Sequence, residues 1–239
     1  MRRCATTLEA EMSAAEHAFL RQILCGLALK GRHLEIGTAA GGTLCAMMGF
    51  FPAESRPPFS VVDPMRYFPN QRETVRQNLR LHGIDPELVD FRIGTSAELF
   101  PRAAARGETF DFVLIDGCHK IWSVTCDLRW TRLVNVGGVV CFHDYTPRMR
   151  GVWLAVNRFL ARNRHYEVMG QADTLLAIRK RETGRKAEVD TLDEWYARAW
   201  HLPLQIERKW QRWRRSRQNV RGYADSPEAL TAFSTSFRS

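Results

Sequence analysis

Apolar residues follow two different periods along this chain, and the two periods alternate. Between 8 and 29 they recur every three to four residues, through Leu8, Met12, Phe19 and Ile23, which marks one face of an amphipathic helix. The stretch 111–116 is instead apolar throughout its middle, as expected for a parallel strand that is covered on both faces. The pattern therefore predicts helices and strands in alternation.

Strands that alternate with helices at this spacing predict an α/β fold, a Rossmann-like, doubly wound and mostly parallel sheet. The predicted strands are 33–36, 59–63, 89–93, 111–116 and 138–143, with a closing antiparallel hairpin of 166–170 and 175–180. The predicted helices are 8–29, 43–51, 70–82, 96–106, 123–133 and 151–162.

Three regions follow from these elements. Residues 1–32 form an N-terminal helical segment, and residues 33–180 form the Rossmann-like core. Residues 181–239 form a basic, tryptophan-rich helical extension, and its end, 222–239, is small and polar enough to be loosely ordered.

Charge and cysteine content narrow the function classes. The chain has 239 residues, and 35 Lys and Arg against 26 Asp and Glu give a net charge of +9, which favours acidic partners. The cysteines include no CxxC pair, so neither a zinc ribbon nor a disulfide framework is expected. The N-terminus lacks the apolar stretch of a secretory signal, and no apolar run is long enough to span a membrane, so a cytoplasmic location is expected.

The segment 33–43 (HLEIGTAAGGT) carries the first candidate site. Glycine suits a turn that needs positive φ or a backbone that touches a ligand, and the helix that follows offers free N–H groups to a carboxylate of a cofactor. An acid at the end of the next strand, Asp63, can accept both hydroxyls of a ribose. The candidate cofactor-binding residues are Glu35, Gly37, Thr38, Gly41, Gly42, Thr43 and Asp63.

Two other interpretations of this loop remain open. It could be a tight strand-to-helix turn without a ligand. A nicotinamide site would require G-x-G-x-x-G, but here three residues separate Gly37 from Gly41 and Glu35 precedes them, which disfavours a dehydrogenase.

Two further motifs follow the loop, FDFVLIDGCH at 110–119 and GGVVCFHDY at 137–145. In this order the three motifs resemble the class I S-adenosylmethionine-dependent methyltransferases, and specifically the branch of the macrolide sugar O-methyltransferases and cephalosporin-hydroxylase-like proteins. The resemblance covers residues 10 to 180. It implies S-adenosylmethionine as cofactor, ribose binding by Asp63, an adenine pocket at Thr95 and Ser96, and methylation of a hydroxyl on a small molecule or saccharide.

The same resemblance implies a catalytic cluster. In metal-dependent members, acids that end the fourth and fifth strands hold a divalent cation, and they match Asp116 and Asp144, so Mg²⁺ is a candidate cofactor. Asp116 also borders the cofactor. A histidine three residues beyond the first acid serves as base in some members and matches His119. Where those members often carry a second acid, this chain has His143, which is a candidate ligand, an orienting residue or a packing residue.

Plainer structural roles exist for these residues as well. Asp116 could cap the next helix, and His119 could be a surface histidine with ordinary partners. The presence of Asp144 at an equivalent strand end favours a functional role for the Asp116 and Asp144 pair.

The basic extension allows three interpretations. Residues 208–221 (RKWQRWRRSRQNVR) carry seven basic residues and no acid, and Trp195, Leu202, Ile206 and Trp210 share approximately one helical side, although Pro203 interrupts the pattern. The helix could pack on the core or on a partner subunit of a homo-oligomer. Alternatively, 195–221 could lie on a membrane surface or bind nucleic acid.

Two rival functions follow. A nucleic-acid methyltransferase is supported by charge alone, and the N-P-P-aromatic motif typical of base-amino methylation is absent, so ribose would be the target. A non-catalytic protein that tethers a partner through its basic extension is the other rival.

Overall fold

A computed structural model describes residues 12–184 and 188–224, and it describes no side chains at 211–212 or 214–224. The predicted start of the first helix near Leu8 lies outside the described residues. Most of the stretch 222–239, for which loose order was expected, also lies outside them.

Within the described residues, seven strands form one sheet in the order β3-β2-β1-β4-β5-β7-β6. The strands are β1 His33–Ile36, β2 Phe59–Asp63, β3 Val89–Ile93, β4 Phe110–Ile115, β5 Val134–Phe142, β6 Tyr166–Ala172 and β7 Leu175–Lys180. The first five are parallel, and β7 pairs antiparallel with both β5 and β6. The predicted doubly wound sheet with a closing hairpin is confirmed.

Helices connect the strands and cover the sheet. They are α1 Ala14–Gly26, α2 Gly42–Gly49, α3 Gln71–Leu81, α4 Ser96–Ala105, α5 Ile121–Asp127, α6 Arg150–Arg162 and α7 Thr191–Ala224. One core cluster joins α1, α2 and α3 to the sheet through side chains such as Leu24, Met47, Leu79 and Phe112. None of the helices in the described ranges is long and apolar enough to cross a membrane.

Several elements differ by a few residues from their predicted bounds, and the larger departures from the prediction concern α5, β5 and α7. The helix predicted over 123–133 ends at Asp127 and continues as a 3-10 helix, Leu128–Leu133. The tighter winding aligns residues three apart, and Leu128 and Thr131 are both buried. β5 begins four residues before the predicted start because the pairing with β4 shifts register there, with Gly137 in a left-handed conformation. α7 is continuous through Pro203.

The chain divides into two compact units, Met1–Ala197 and Arg198–Ser239. Residues after 180 contribute to the first unit. Buried Glu188 accepts hydrogen bonds from the hydroxyls of Thr131 at 2.6 Å and Tyr166 at 2.8 Å, and it pairs with Lys180 at 2.7 Å. The three roles considered for the basic extension stay predictions.

The turn after β1 is built on Gly37, which has φ +86°. A Cβ at this position would lie 2.4 Å from the carbonyl oxygen of Asp116. The backbone after β1 therefore lies directly against the backbone after β4, and only glycine permits this approach.

A buried polar chain links the helices that follow β3 and β4. The indole N–H of Trp130 donates to the hydroxyl of Ser96 at 2.7 Å, and Ser96 forms a hydrogen bond with Asp127. Burial raises the pKa of Asp127 to about 7, against the opposing effect of that hydrogen bond. Asp127 also lies against Gly117, so it braces the segments after both strands.

Replacement of Gly37 with Ala should lower the free energy of unfolding by about 2 kcal/mol or more, because it adds left-handed strain to the clash with Asp116. Urea unfolding measures this change. The matched control is Gly26→Ala, where a new Cβ meets nothing within 4 Å, and it should not destabilise the protein. Equal stabilities of the two variants would contradict the packing described here.

Replacement of Asp127 with Asn should change how stability depends on pH. The folded-state pKa of about 7 exceeds the unfolded value of about 3.9, so the folded state binds this proton more tightly. The native chain should therefore lose stability relative to Asp127→Asn as the pH rises from about 4 to about 7. Urea unfolding across this range tests the expectation, and parallel curves for the two proteins would refute it.

Candidate active site

The loop after β1 and the end of β2 are held together by Asp63. Its Oδ2 accepts the backbone N–H of Thr38 at 3.0 Å, and its Oδ1 accepts that of Met65 at 2.6 Å. The side chain of Gln71 donates to the carbonyl of Ala39 at 2.9 Å and to Asp63 at 3.4 Å. The sequence analysis missed Gln71, because a buried glutamine at the start of a helix looks like an exposed one in sequence.

The glycines expected to form the cofactor loop lie where this loop turns into α2. Gly41 has φ +86° and precedes the helix, which begins at Gly42. A Cβ at Gly41 would lie 2.9 Å from the side chain of Val75. The N-terminus of α2, with Thr43 in its first turn, is thus placed at the carboxyl edge of the sheet, beside Asp63.

Glu35 lies fully buried in β1 behind this loop. Its Oε2 and the hydroxyl of Thr38 have no well-aligned hydrogen bond among the described residues, although the two side chains lie close enough for Thr38 to affect the charge of Glu35. Burial raises the pKa of Glu35 to about 8, against the opposing effect of the Thr38 side chain, and the nearby carboxylates of Asp116 and Asp63 add to the increase. Buried polar atoms are normally paired, so these two atoms favour a ligand that brings hydrogen-bond donors.

Thr95 and Ser96 follow β3 at the same edge, but their hydroxyls are engaged within the protein. Thr95 is the N-cap of α4 and forms a reciprocal capping box with Glu98. Ser96 is buried, and it bonds to Trp130 and Asp127. A role of these two residues next to an adenine would therefore rest on their backbone and position.

Two carboxylates and two histidines form a cluster after β4 and β5. Nδ1 of His143 lies 3.0 Å from Oδ1 of Asp116, and Nε2 of His119 lies 2.9 Å from Oδ2 of Asp144. Asp116, His143 and Asp144 each offer one ligand atom, and these atoms lie within 4.8 Å of one another. The structure brings together all four residues that the sequence placed in the catalytic cluster.

Local backbone geometry positions both histidines. Asp144 has φ +57°, a left-handed conformation that turns the chain sharply after His143. A Cβ at Gly151, in the first turn of α6, would lie 2.2 Å from the carbonyl oxygen of His119. The segment that carries His119 is therefore packed against α6.

The charges of the cluster are paired. The hydrogen bond that His119 donates to Asp144 raises the pKa of His119 above its usual value and lowers the pKa of Asp144. Burial opposes the charging of His143, but the carboxylates of Asp116, Asp144 and Glu16 outweigh it and raise the pKa of His143 to about 9.

The third acid beside His143, Glu16, comes from α1 and was missed by the sequence analysis. It is buried and lies 3.5 Å from Nε2 of His143. Its position after Ser13 is the signal of a capping box, but that signal alone gives no indication of contact with a strand end more than a hundred residues away.

Comparisons with known proteins find similarity in the segment that carries the predicted site residues. Residues 34–145 match the family model described as a methyltransferase domain. This segment includes every candidate site residue from the sequence analysis. No curated protein matches the chain in sequence.

Several solved structures share the fold. The O-methyltransferase NovP superposes with a TM-score of 0.61 and 22% identity, over 70% of this chain and 80% of that one. The O-methyltransferase TomG from Streptomyces achromogenes, involved in tomaymycin synthesis and solved in complex with SAM, gives 0.58 and 18%, over 72% and 82%.

A third similar structure is CalS11, described as a TDP-rhamnose 3'-O-methyltransferase of calicheamicin biosynthesis. It superposes with a TM-score of 0.54 and 15% identity, over 68% of this chain and 76% of that one. Residues 34–145 of this chain are therefore similar to a methyltransferase domain, and the chain shares its fold with these O-methyltransferases.

Proposed function

We propose that the protein is an S-adenosylmethionine-dependent O-methyltransferase that acts on a hydroxyl of a small molecule or saccharide. The observation that carries the proposal is the His119–Asp144 pair, which lies at the same sheet edge as the buried acids of the cofactor loop. A site for methyl transfer to oxygen needs a methyl donor and a base side by side. The segment that matches the methyltransferase-domain model would bind the methyl donor, and this pair would supply the base.

The residues of the cofactor loop fit S-adenosylmethionine. The unpartnered Oε2 of Glu35 and hydroxyl of Thr38 can receive polar groups of the methionine part. The N–H groups at the start of α2 suit its carboxylate. Among the described residues, one hydrogen bond reaches Oδ2 of Asp63, at 3.0 Å, which leaves acceptor capacity for a ribose hydroxyl.

The reaction places specific demands on the acceptor site. The acceptor oxygen attacks the methyl carbon, the carbon–sulfur bond breaks with its electron pair going to sulfur, and the hydroxyl proton must leave. Alignment of the two reactants can supply up to about 7 to 11 kcal/mol. Because Asp144 holds Nε2 of His119, Nδ1 is the ring nitrogen that would take the proton.

The cluster also fits a divalent cation. Two carboxylates and one imidazole are the donor types that Mg²⁺ and first-row transition metals accept, and Asp116, His143 and Asp144 would hold the ion. When bound, its charge would lower the pKa of the acceptor hydroxyl. The proton transfer to His119 is assigned independently of the ion.

The proposal is tested by transfer of a radiolabelled methyl group from S-adenosylmethionine to a panel of sugar nucleotides, glycosides and catechols, with amines for comparison. Label should appear on an oxygen. His119→Ala should then lower kcat by about 10²- to 10⁴-fold, because the general base is lost, while the Kd for S-adenosylmethionine changes less than about twofold.

The matched control is His82→Ala. His82 is the C-cap of α3 and is exposed at the opposite, amino edge of the sheet, so its replacement should leave transfer unchanged. Label confined to amines, or full activity in His119→Ala, would contradict the proposal.

A further inference from the structure

Glu16 joins three parts of the fold through one carboxylate. It lies in the first turn of α1, with 3% of its surface exposed. Its Oε1 accepts the backbone N–H of Thr174 at 2.9 Å and the Thr174 hydroxyl at 2.6 Å. Its Oε2 accepts the N–H of Ser13 at 2.7 Å and lies 3.5 Å from Nε2 of His143. The carboxylate therefore connects α1, the β6–β7 turn and the end of β5.

Helix capping alone does not explain this arrangement. The chain has a second capping box at the start of α4, formed by Thr95 and Glu98, and there the glutamate is exposed to solvent. A capping glutamate thus needs no burial in this protein. Burying a carboxylate is costly unless it is well paired, and the pairing that distinguishes Glu16 from Glu98 is with Thr174 and His143.

The contact places His143 between two acids. Asp116 lies 3.0 Å from Nδ1 on one side of the ring, and Glu16 lies 3.5 Å from Nε2 on the other. Nδ1 is also 3.9 Å from Asp144, the acid that holds His119. A ring that turned away from Glu16 would change its contacts with Asp116 and Asp144 together.

We propose that Glu16 is a positioning residue of the active site, which fixes the ring of His143 so that Nδ1 faces Asp116 and Asp144. Through this contact α1 becomes part of the site, because the helix brings the acid that orients the histidine. In many protein sites, a carboxylate at the second ring nitrogen of a functional histidine fixes the orientation of the imidazole. The orientation keeps Asp144 available to His119, which is its partner in the structure.

Glu16→Gln is the decisive variant, because it keeps the size of the side chain and removes its charge. In the methyl transfer described above, kcat should fall about 10- to 100-fold, with the KM of the acceptor and the Kd of S-adenosylmethionine within about twofold of the native values. The matched control Glu98→Gln alters the other capping box and should leave kcat unchanged. An equal loss in both variants, or none in Glu16→Gln, would overturn the inference.

A double-mutant cycle with His143→Gln separates positioning from general loosening of α1. If Glu16 acts through His143, adding Glu16→Gln to His143→Gln should cause no further loss of kcat. Additive losses would overturn the inference.

A spectroscopic readout needs no acceptor. In histidine-ring ¹⁵N–¹H spectra at one fixed pH, the His143 signals are assigned by their absence in His143→Gln. They should move in Glu16→Gln and stay in place in Glu98→Gln, and unmoved His143 signals in Glu16→Gln would overturn the inference. The kcat measurements rest on the proposed function, but this spectroscopic experiment does not. If the His143 signals move in Glu16→Gln but the native protein transfers no methyl group, the proposed function is contradicted and the positioning role stays intact.

Discussion

Acidic side chains converge at the carboxyl edge of the parallel sheet, and the rest of the site depends on how their charge is compensated. Glu35 lies in β1, Asp63 ends β2, Asp116 follows β4, and Asp144 follows β5. Parallel strands direct all of these ends to one edge. Carboxylates at close range in a poorly hydrated setting repel one another, so each needs a hydrogen-bond donor, a cation or a proton.

The protein meets this demand differently on the two sides of the edge. Backbone N–H groups of Thr38 and Met65 donate to the two oxygens of Asp63, while Glu35, whose pKa burial raises to about 8, keeps its proton at neutral pH. On the other side, His119 pairs with Asp144, and His143 lies between Asp116 and Glu16. This contrast favours a cofactor site on the first side of the edge and a proton-transfer site on the second.

Much of the fold could be predicted from sequence, because apolar runs of strand length, such as 111–116, alternate with segments of helical periodicity. The strand ends then placed Asp63, Asp116 and Asp144 at one edge without any knowledge of packing. The change from α5 to a 3-10 helix could not be predicted, since it depends on how Trp130 packs between Phe100 and Phe110. Glu16 and Asp127 were missed for a related reason, because nothing in the sequence distinguishes a buried acid from an exposed one.

The central claim is that this edge binds S-adenosylmethionine through Asp63, and titration calorimetry tests it most directly. The native protein should bind S-adenosylmethionine. Asp63→Ala should lose that binding, and urea unfolding should show that this variant is still folded. The control Asp85→Ala changes the cap of the turn before β3, and it should bind as the native protein does. Absence of binding by the native protein, or equal affinity in Asp63→Ala, would contradict the account.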